Sequence, residues 1–79
     1  MKTARQVFKS MSVNPMTPDT IQILNIGMLG VALAVGTDFQ NNPIWGVTVV
    51  NRQTEVIVHN LSTLFYSEKE ARDYISSLS

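Results

Sequence analysis

The feature that most constrains the fold is an alternation of large and small side chains in the middle of the chain. From residue 29 to residue 36, leucine or valine alternates with glycine or alanine. A period of two is that of a β-strand, because successive side chains point to opposite faces of a sheet. One face of this strand carries large side chains and the other only small ones. We therefore expect a second element, most simply a helix, to lie close against the small-residue face.

Two further strands are predicted after this one. Residues 44–51 alternate in the same way, with Trp45, Val47 and Val49 on one face. The polar residues 51–54 form a connection of hairpin length, and residues 55–60 follow as a third strand. Residues 61–66 either prolong that strand after a bulge or form a connection. The pattern thus predicts a three-stranded antiparallel meander.

Both ends of the chain show helical spacing. In residues 3–11, apolar side chains recur at the spacing of one helix face, and the basic side chains Lys2, Arg5 and Lys9 project from the opposite face. At the other end, Ser67 and Glu70 form a capping-box pattern that predicts a helix start. This last helix should bury Ala71, Tyr74, Ile75 and Leu78 and carry two i,i+4 ion pairs, Glu68–Arg72 and Lys69–Asp73.

Residues 12–27 are ambiguous. A turn is expected at 12–16, after which Thr17, Pro18 and Asp19 have the order of a helix start. Asp19, Gln22 and Asn25 recur every three residues, and a glycine at 27 would end the helix. The alternative is a strand, since residues 21 and 23 are both isoleucine. We predict a helix over 18–27 and keep the strand as the alternative.

The assembled prediction is an α+β fold that forms a single domain over residues 1–79. Its elements follow the order α-α-β-β-β-α, and the meander packs against helices on one face. The uncovered face or an exposed edge strand is then the expected association surface.

Composition indicates association because a small chain needs support for its core. The chain has 79 residues, no cysteine and one histidine, so neither disulfides nor an ordinary zinc site can brace it. Charged residues make up 15% of the chain, against a typical value of about 25%, so apolar area should remain on the surface. We predict a homo-oligomer, most simply a dimer, and a further protein partner is the related alternative.

Net charge argues against a nucleic-acid surface. Six basic and six acidic residues cancel, so the chain lacks the broad positive field of nucleic-acid binders. The alternative that remains is a nucleic-acid-binding module that uses the basic N-terminal helix together with Lys69 and Arg72. No membrane role is expected, because the apolar run at 21–35 is shorter than the about 20 residues that span a bilayer. We interpret that run as core.

No catalytic, metal or cofactor site is predicted. His59 is the only imidazole, and it falls inside a predicted strand without a nucleophile motif around it. The glycines match no phosphate-binding pattern. The chain is therefore predicted not to be an enzyme and to need no cofactor. The absence of cysteine is typical of a reducing compartment, so a cytoplasmic location is expected.

Two aromatic residues are the candidates for a contact surface. Phe39 lies in the turn-rich segment 37–43 and Trp45 follows it, and both are predicted as interaction residues, together with Lys2, Arg5 and Lys9. The sequence thus predicts a small non-enzymatic interaction module, acting as a homodimer or by binding a protein partner. A small-ligand pocket near Trp45 is a further alternative.

Overall fold

A computed structural model describes residues 2–11 and 19–79 of the chain. The described elements, in chain order, are α1 (Ala4–Ser10), β1 (Thr20–Ile26), β2 (Leu29–Thr37), β3 (Pro43–Asn51), β4 (Val56–Ile57), β5 (Thr63–Phe65) and α2 (Glu68–Ser77). The predicted turn at 12–16 and the predicted cap residues Thr17 and Pro18 lie outside the described residues. Within the described residues, no helix is both long and apolar enough to span a bilayer.

The α+β class is confirmed, but the predicted strand count and element order are wrong. The sheet contains five antiparallel strands in the order β1-β2-β3-β4, and β5 pairs with β3 beyond the end of β4. The segment predicted as a helix over 18–27 contains β1, so the alternative interpretation as a strand was the correct one. The predicted third strand over 55–60 is reduced to the two residues of β4.

The first strand forms because it pairs with β2 across a two-residue turn. Gly27 opens this turn at φ +57°, a conformation that glycine adopts without steric cost. The polar residues that suggested a helical stripe lie on opposite faces of the strand. Gln22 accepts a hydrogen bond from Arg72 of α2, and the side chain of Asn25 accepts one from the backbone N–H of Ala4 in α1.

The third predicted strand is interrupted because the chain turns twice. The side chain of Asn51 accepts hydrogen bonds from the backbone N–H groups of Gln53 and Thr54, which closes the turn before β4. After β4, the Ser62 side chain, and not the backbone of a paired strand, bonds to a backbone N–H of β3. It accepts a hydrogen bond from the Val49 N–H at 2.9 Å and donates one to the Val58 carbonyl at 3.0 Å.

Large side chains of the sheet pack against α2 on one side, here called the inner face. This core contains the buried residues Val31, Leu33, Val47, Val49, Ala71 and Ile75. Ser67 caps α2 by accepting a hydrogen bond from the Glu70 N–H, and both predicted ion pairs of this helix are present. The buried side of the helix agrees with the prediction from its spacing.

The opposite side of the sheet, here called the outer face, is covered by α1. Helices therefore lie on both faces, and the prediction of a single covered face is wrong. Buried residues Ala4, Val7 and Phe8 of α1 pack with Val50 of β3. The close approach predicted for the small-residue face occurs at Gly30, where an added Cβ would lie 2.9 Å from the Ala4 Cβ. Each face packs against a helix because each carries apolar side chains, which are more stable when they are removed from water.

Candidate interaction surface

The two predicted aromatic contact residues lie in different environments. Trp45 is half-buried on the inner face, where it packs against the core and lies opposite Phe65 in the β3–β5 register. Phe39 lies in the loop between β2 and β3, with a relative exposure of 109%. The structure therefore separates Phe39 from Trp45, and only Phe39 belongs to an open surface.

The loop that carries Phe39 is closed by hydrogen bonds to one carboxylate. Asp38 Oδ1 accepts from the backbone N–H of Gln40 at 2.9 Å and from that of Asn42 at 2.8 Å. The Asp38 N–H also donates to the Asn42 carbonyl. Asn41 takes the left-handed conformation at φ 65°, which asparagine tolerates better than most residues. Phe39 is thus held outward by an ordered turn.

The same hydrogen bonds keep Asp38 charged. The pKa of the Asp38 carboxyl is lowered, chiefly because the Asn42 N–H donates to it, with further donation from Gln40, the Asn42 side chain and the Tyr66 hydroxyl. Desolvation opposes this shift without reversing it. Hydrogen bonds to an ionised carboxylate stabilise the charged form. A negative charge therefore lies beside Phe39 and Tyr66 at neutral pH.

These residues form one wall of an open groove on the outer face. The groove has a volume of about 440 Å³. Its lining residues are Thr37, Asp38, Phe39, Ile44, Leu64 and Tyr66, and we call it the aromatic groove. Leu64 and Tyr66 are 64% and 68% exposed, so three large apolar or aromatic side chains of the groove face solvent together.

Leu64 was not predicted to belong to this surface. The signal was present in the alternation of residues 64–66. Phe65 points to the inner core, so its two neighbours must point to the outer face. The prediction failed because residues 61–66 were not assigned as a strand that pairs with β3.

The basic residues of the nucleic-acid alternative lie on two faces of the sheet. Lys2, Arg5 and Lys9 belong to α1 or precede it on the outer face, while Lys69 and Arg72 belong to α2 on the inner face.

Three of these cations also have acidic partners. Lys2 pairs with Glu55, and Arg72 pairs with Glu68 at 2.8 Å. Lys69 pairs with Asp73 at 2.7 Å, and this hydrogen bond raises the pKa of the Lys69 ammonium.

A cluster of polar side chains from the turn before β4 fastens α1 to the sheet. Arg52 donates from Nε to the Lys2 carbonyl and from a terminal nitrogen to the Gly27 carbonyl, both at 2.6 Å. Glu55 accepts from Lys2 and from the Ser10 hydroxyl, and these bonds lower the pKa of its carboxyl. A cavity of about 390 Å³ is lined by Lys2, Arg52, Gln53 and Glu55. All the charged groups of this cluster serve contacts between α1 and two turns.

The structure also locates the one histidine of the chain. His59 is exposed and lies in the turn after β4, not inside a strand as predicted. Residues 2–11 and 19–79 contain no group of three or more histidine, cysteine or acidic side chains placed to hold a metal ion. No protein-family model, curated protein or solved structure matches this chain.

Proposed function

We propose that the chain is a non-enzymatic interaction module that binds a partner protein through the aromatic groove. The observation that carries this proposal is the joint exposure of Phe39, Leu64 and Tyr66 around one groove. Single apolar residues on a surface are ordinary, but a contiguous patch marks an interaction site. Aromatic side chains are also the residue types that contribute most to binding energy at protein interfaces.

The order of the Phe39 loop supports the same proposal. An aromatic side chain on a mobile loop would lose conformational entropy when it binds. The Asp38 hydrogen bonds have already fixed the loop, so Phe39 is presented to a partner at a lower entropic cost. Neither α1 nor α2 buries Phe39, so the folded core does not account for this aromatic residue.

Charge indicates the chemistry of the partner. Among the described residues, Asp38 is the only charged one that lines the aromatic groove, and two aromatic rings lie beside it. A cation is attracted both by a carboxylate and by the face of an aromatic ring. We therefore propose a partner segment that carries an arginine or lysine flanked by apolar residues.

A peptide-library selection tests this proposal. The full-length chain is immobilised and used to enrich peptides from a random library, with the Phe39→Ser variant as the counter-selection target. We expect the enriched peptides to share a basic residue beside an apolar one. Their affinity should fall at least tenfold for Phe39→Ala and for Tyr66→Ala, because each change removes an aromatic wall.

Val56→Ser provides the matched control, since Val56 is 59% exposed and lies outside the groove. This variant should bind the selected peptides as the unaltered chain does. Enrichment of acidic peptides, or an equal loss of binding in Val56→Ser, would contradict the proposal. So would a selection in which no peptide depends on Phe39.

A further inference from the structure

Among the described residues, β1 is an edge strand of the sheet, and its composition is unusual. β1 has seven residues, T-I-Q-I-L-N-I, and none of them is charged or proline. Natural edge strands usually carry a charge or a proline, or are very short, because an open edge pairs readily with another chain. The other edge of this sheet follows that rule, since β4 and β5 have two and three residues. β1 lacks each of these three protections.

The ladder fixes which backbone groups of β1 point away from the sheet. Ile26 and Leu29 flank a two-residue turn, so they form a hydrogen-bonded pair, and such pairs alternate along an antiparallel ladder. Leu24 therefore also bonds to β2, whereas the N–H and C=O groups of Ile23 and Asn25 point outward. The other side of β2 shows the same alternation. Leu29 lies opposite Asn51 there without bonding to it, so the Arg52 N–H donates to the Met28 carbonyl.

A second copy of the same strand satisfies these outward groups in one register. When Ile23 lies opposite the partner's Asn25, symmetry also places Asn25 opposite the partner's Ile23. Each of these two pairs exchanges two hydrogen bonds. Leu24 then lies opposite the partner's Leu24 on a two-fold axis, in a pair without hydrogen bonds between them. A register centred on Ile23 would place Asn25 opposite residue 21, where a bulge interrupts the strand. A register centred on Asn25 would place Ile23 opposite Gly27, which lies in the turn after β1.

We propose that two copies of this chain associate through antiparallel pairing of their β1 strands in this register, which joins the two sheets into one. The partner is a second copy because β1 carries no charged side chain, so the two strands do not repel each other when they pair. Leu24 and Ile26 are half-buried on the inner face, which α2 covers only over β3 and β5, and in the joined sheet the partner's Leu24 lies beside Leu24. Ile21 near the start of β1 and Met28 in the turn after it are 43% and 39% exposed. The antiparallel pairing brings the Ile21 end of one strand beside the turn that carries Met28 in the other copy.

This contact is compatible with the proposed groove. β1 is at one edge of the sheet, and Leu64 of the groove belongs to β5 at the opposite side of β3. A dimer formed through β1 therefore leaves both grooves open. The two proposals rest on different residues and fail separately.

Cysteine cross-linking tests the register directly, because the chain contains no cysteine of its own. In a pair without hydrogen bonds the Cα atoms are about 4.5 Å apart, which lies within the range of about 4.4–6.8 Å that a disulfide spans. We expect Leu24→Cys to form a covalent dimer as the main product on mild oxidation. Ile23→Cys should not do so, since residue 23 and the partner's residue 23 lie diagonally apart. Ser76→Cys on the exposed side of α2 controls for random collision.

A second variant covers the case in which Leu24→Cys does not fold. Ile23→Pro removes an outward N–H that the chain's own sheet does not use, whereas Ile23→Val keeps it. Sedimentation of the full chain should give a mass of twice 8.8 kDa. Dimer affinity should fall at least tenfold in Ile23→Pro and remain within threefold in Ile23→Val, with an unchanged circular dichroism spectrum in both.

Two results would overturn the inference. One is a chain that remains monomeric at a protein concentration of about 100 μM, where a dimer with a Kd of about 1 μM would be nearly fully formed. The other is a dimer that Ile23→Cys or Ser76→Cys, but not Leu24→Cys, cross-links. In either case peptide selection by the aromatic groove would be unaffected, so failure of the dimer remains distinguishable from failure of the proposed function.

Discussion

Two halves of the outer face differ although the same strand forms the floor of both. At Gly30 an added Cβ would lie 2.9 Å from atoms of both Ala4 and Val50, whereas at Gly36 no heavy atom lies within 4 Å. The seven residues of α1 extend only about 10 Å, while the nine residues of β2 extend about 30 Å. The helix therefore covers the half near Gly30, here called the covered half. The open half, near Gly36, carries the aromatic groove.

The difference shows that apolar residues of one sheet face can serve different purposes. In the covered half, Phe8 is 2% exposed and contributes to the core. In the open half, Phe39 is fully exposed and contributes nothing to the core. Substitutions at corresponding residues of the two halves test whether they differ in this way.

The largest expected difference is between the two phenylalanines. Phe8→Ala should lower the free energy of unfolding by about 3–5 kcal/mol, because it removes a buried ring and leaves a cavity. Phe39→Ala should change it by less than about 0.5 kcal/mol, since an exposed side chain away from special features has little effect. Urea unfolding followed by circular dichroism measures both values. A large loss in Phe39→Ala would mean that the open half belongs to the core.

The glycines should differ by a smaller amount. Gly30→Val forces the backbone of α1 or the Val50 side chain to shift, and overpacking of this kind costs about 1–3 kcal/mol. Gly36→Ala meets no neighbour and should be neutral or stabilise the fold by up to about 1 kcal/mol. The same urea experiment applies. Equal destabilisation by both changes would contradict the distinction between the halves.

The smallest expected effects come from two carboxylates. Glu55 in the cluster that fastens α1 and Asp38 in the Phe39 loop both have a lowered pKa, in each case chiefly through a hydrogen bond to the charged form, from Lys2 and from the Asn42 N–H respectively. A pKa that is lower in the folded state means that the contribution to stability is present above the unfolded-state pKa. It is lost as the pH falls through the folded-state pKa.

Unfolding measured between pH 7 and pH 3 checks this assignment. The unaltered chain should lose stability below about pH 4.5, the ordinary value for a glutamate. Glu55→Gln and Asp38→Asn should each start less stable at pH 7 and lose less on acidification. A variant with the same pH profile as the unaltered chain would show that its carboxylate contributes nothing to the fold.

Both terminal helices could be predicted from sequence because their signals are local. Apolar spacing and caps suffice to define α1 and α2, although the full capping box of α1, formed by Thr3 and Gln6, was not anticipated. The alternation in β2 even predicted that a helix would approach its small-residue face. Each of these features depends only on residues that are close together in the sequence.

The first strand could not be predicted from local signals because its pairing decides its structure. Asp19, Gln22 and Asn25 have helical spacing, yet Gln22 and Asn25 bond to different helices on opposite faces. Pairing with β2 through the turn at Gly27 outweighs that pattern. The aromatic groove was missed for the same reason, since β5 lies beside β3 only after the chain has turned away from β4.

We propose that the open half binds a segment with a basic residue flanked by apolar ones. An amide-resolved NMR titration with acetyl-Leu-Arg-Leu-amide tests it most directly, with acetyl-Leu-Glu-Leu-amide as the control. We expect saturable shifts confined to Asp38, Phe39, Ile44, Leu64 and Tyr66, and weaker shifts with the glutamate peptide. Shifts centred on α1 or α2, or equal shifts with both peptides, would contradict the claim.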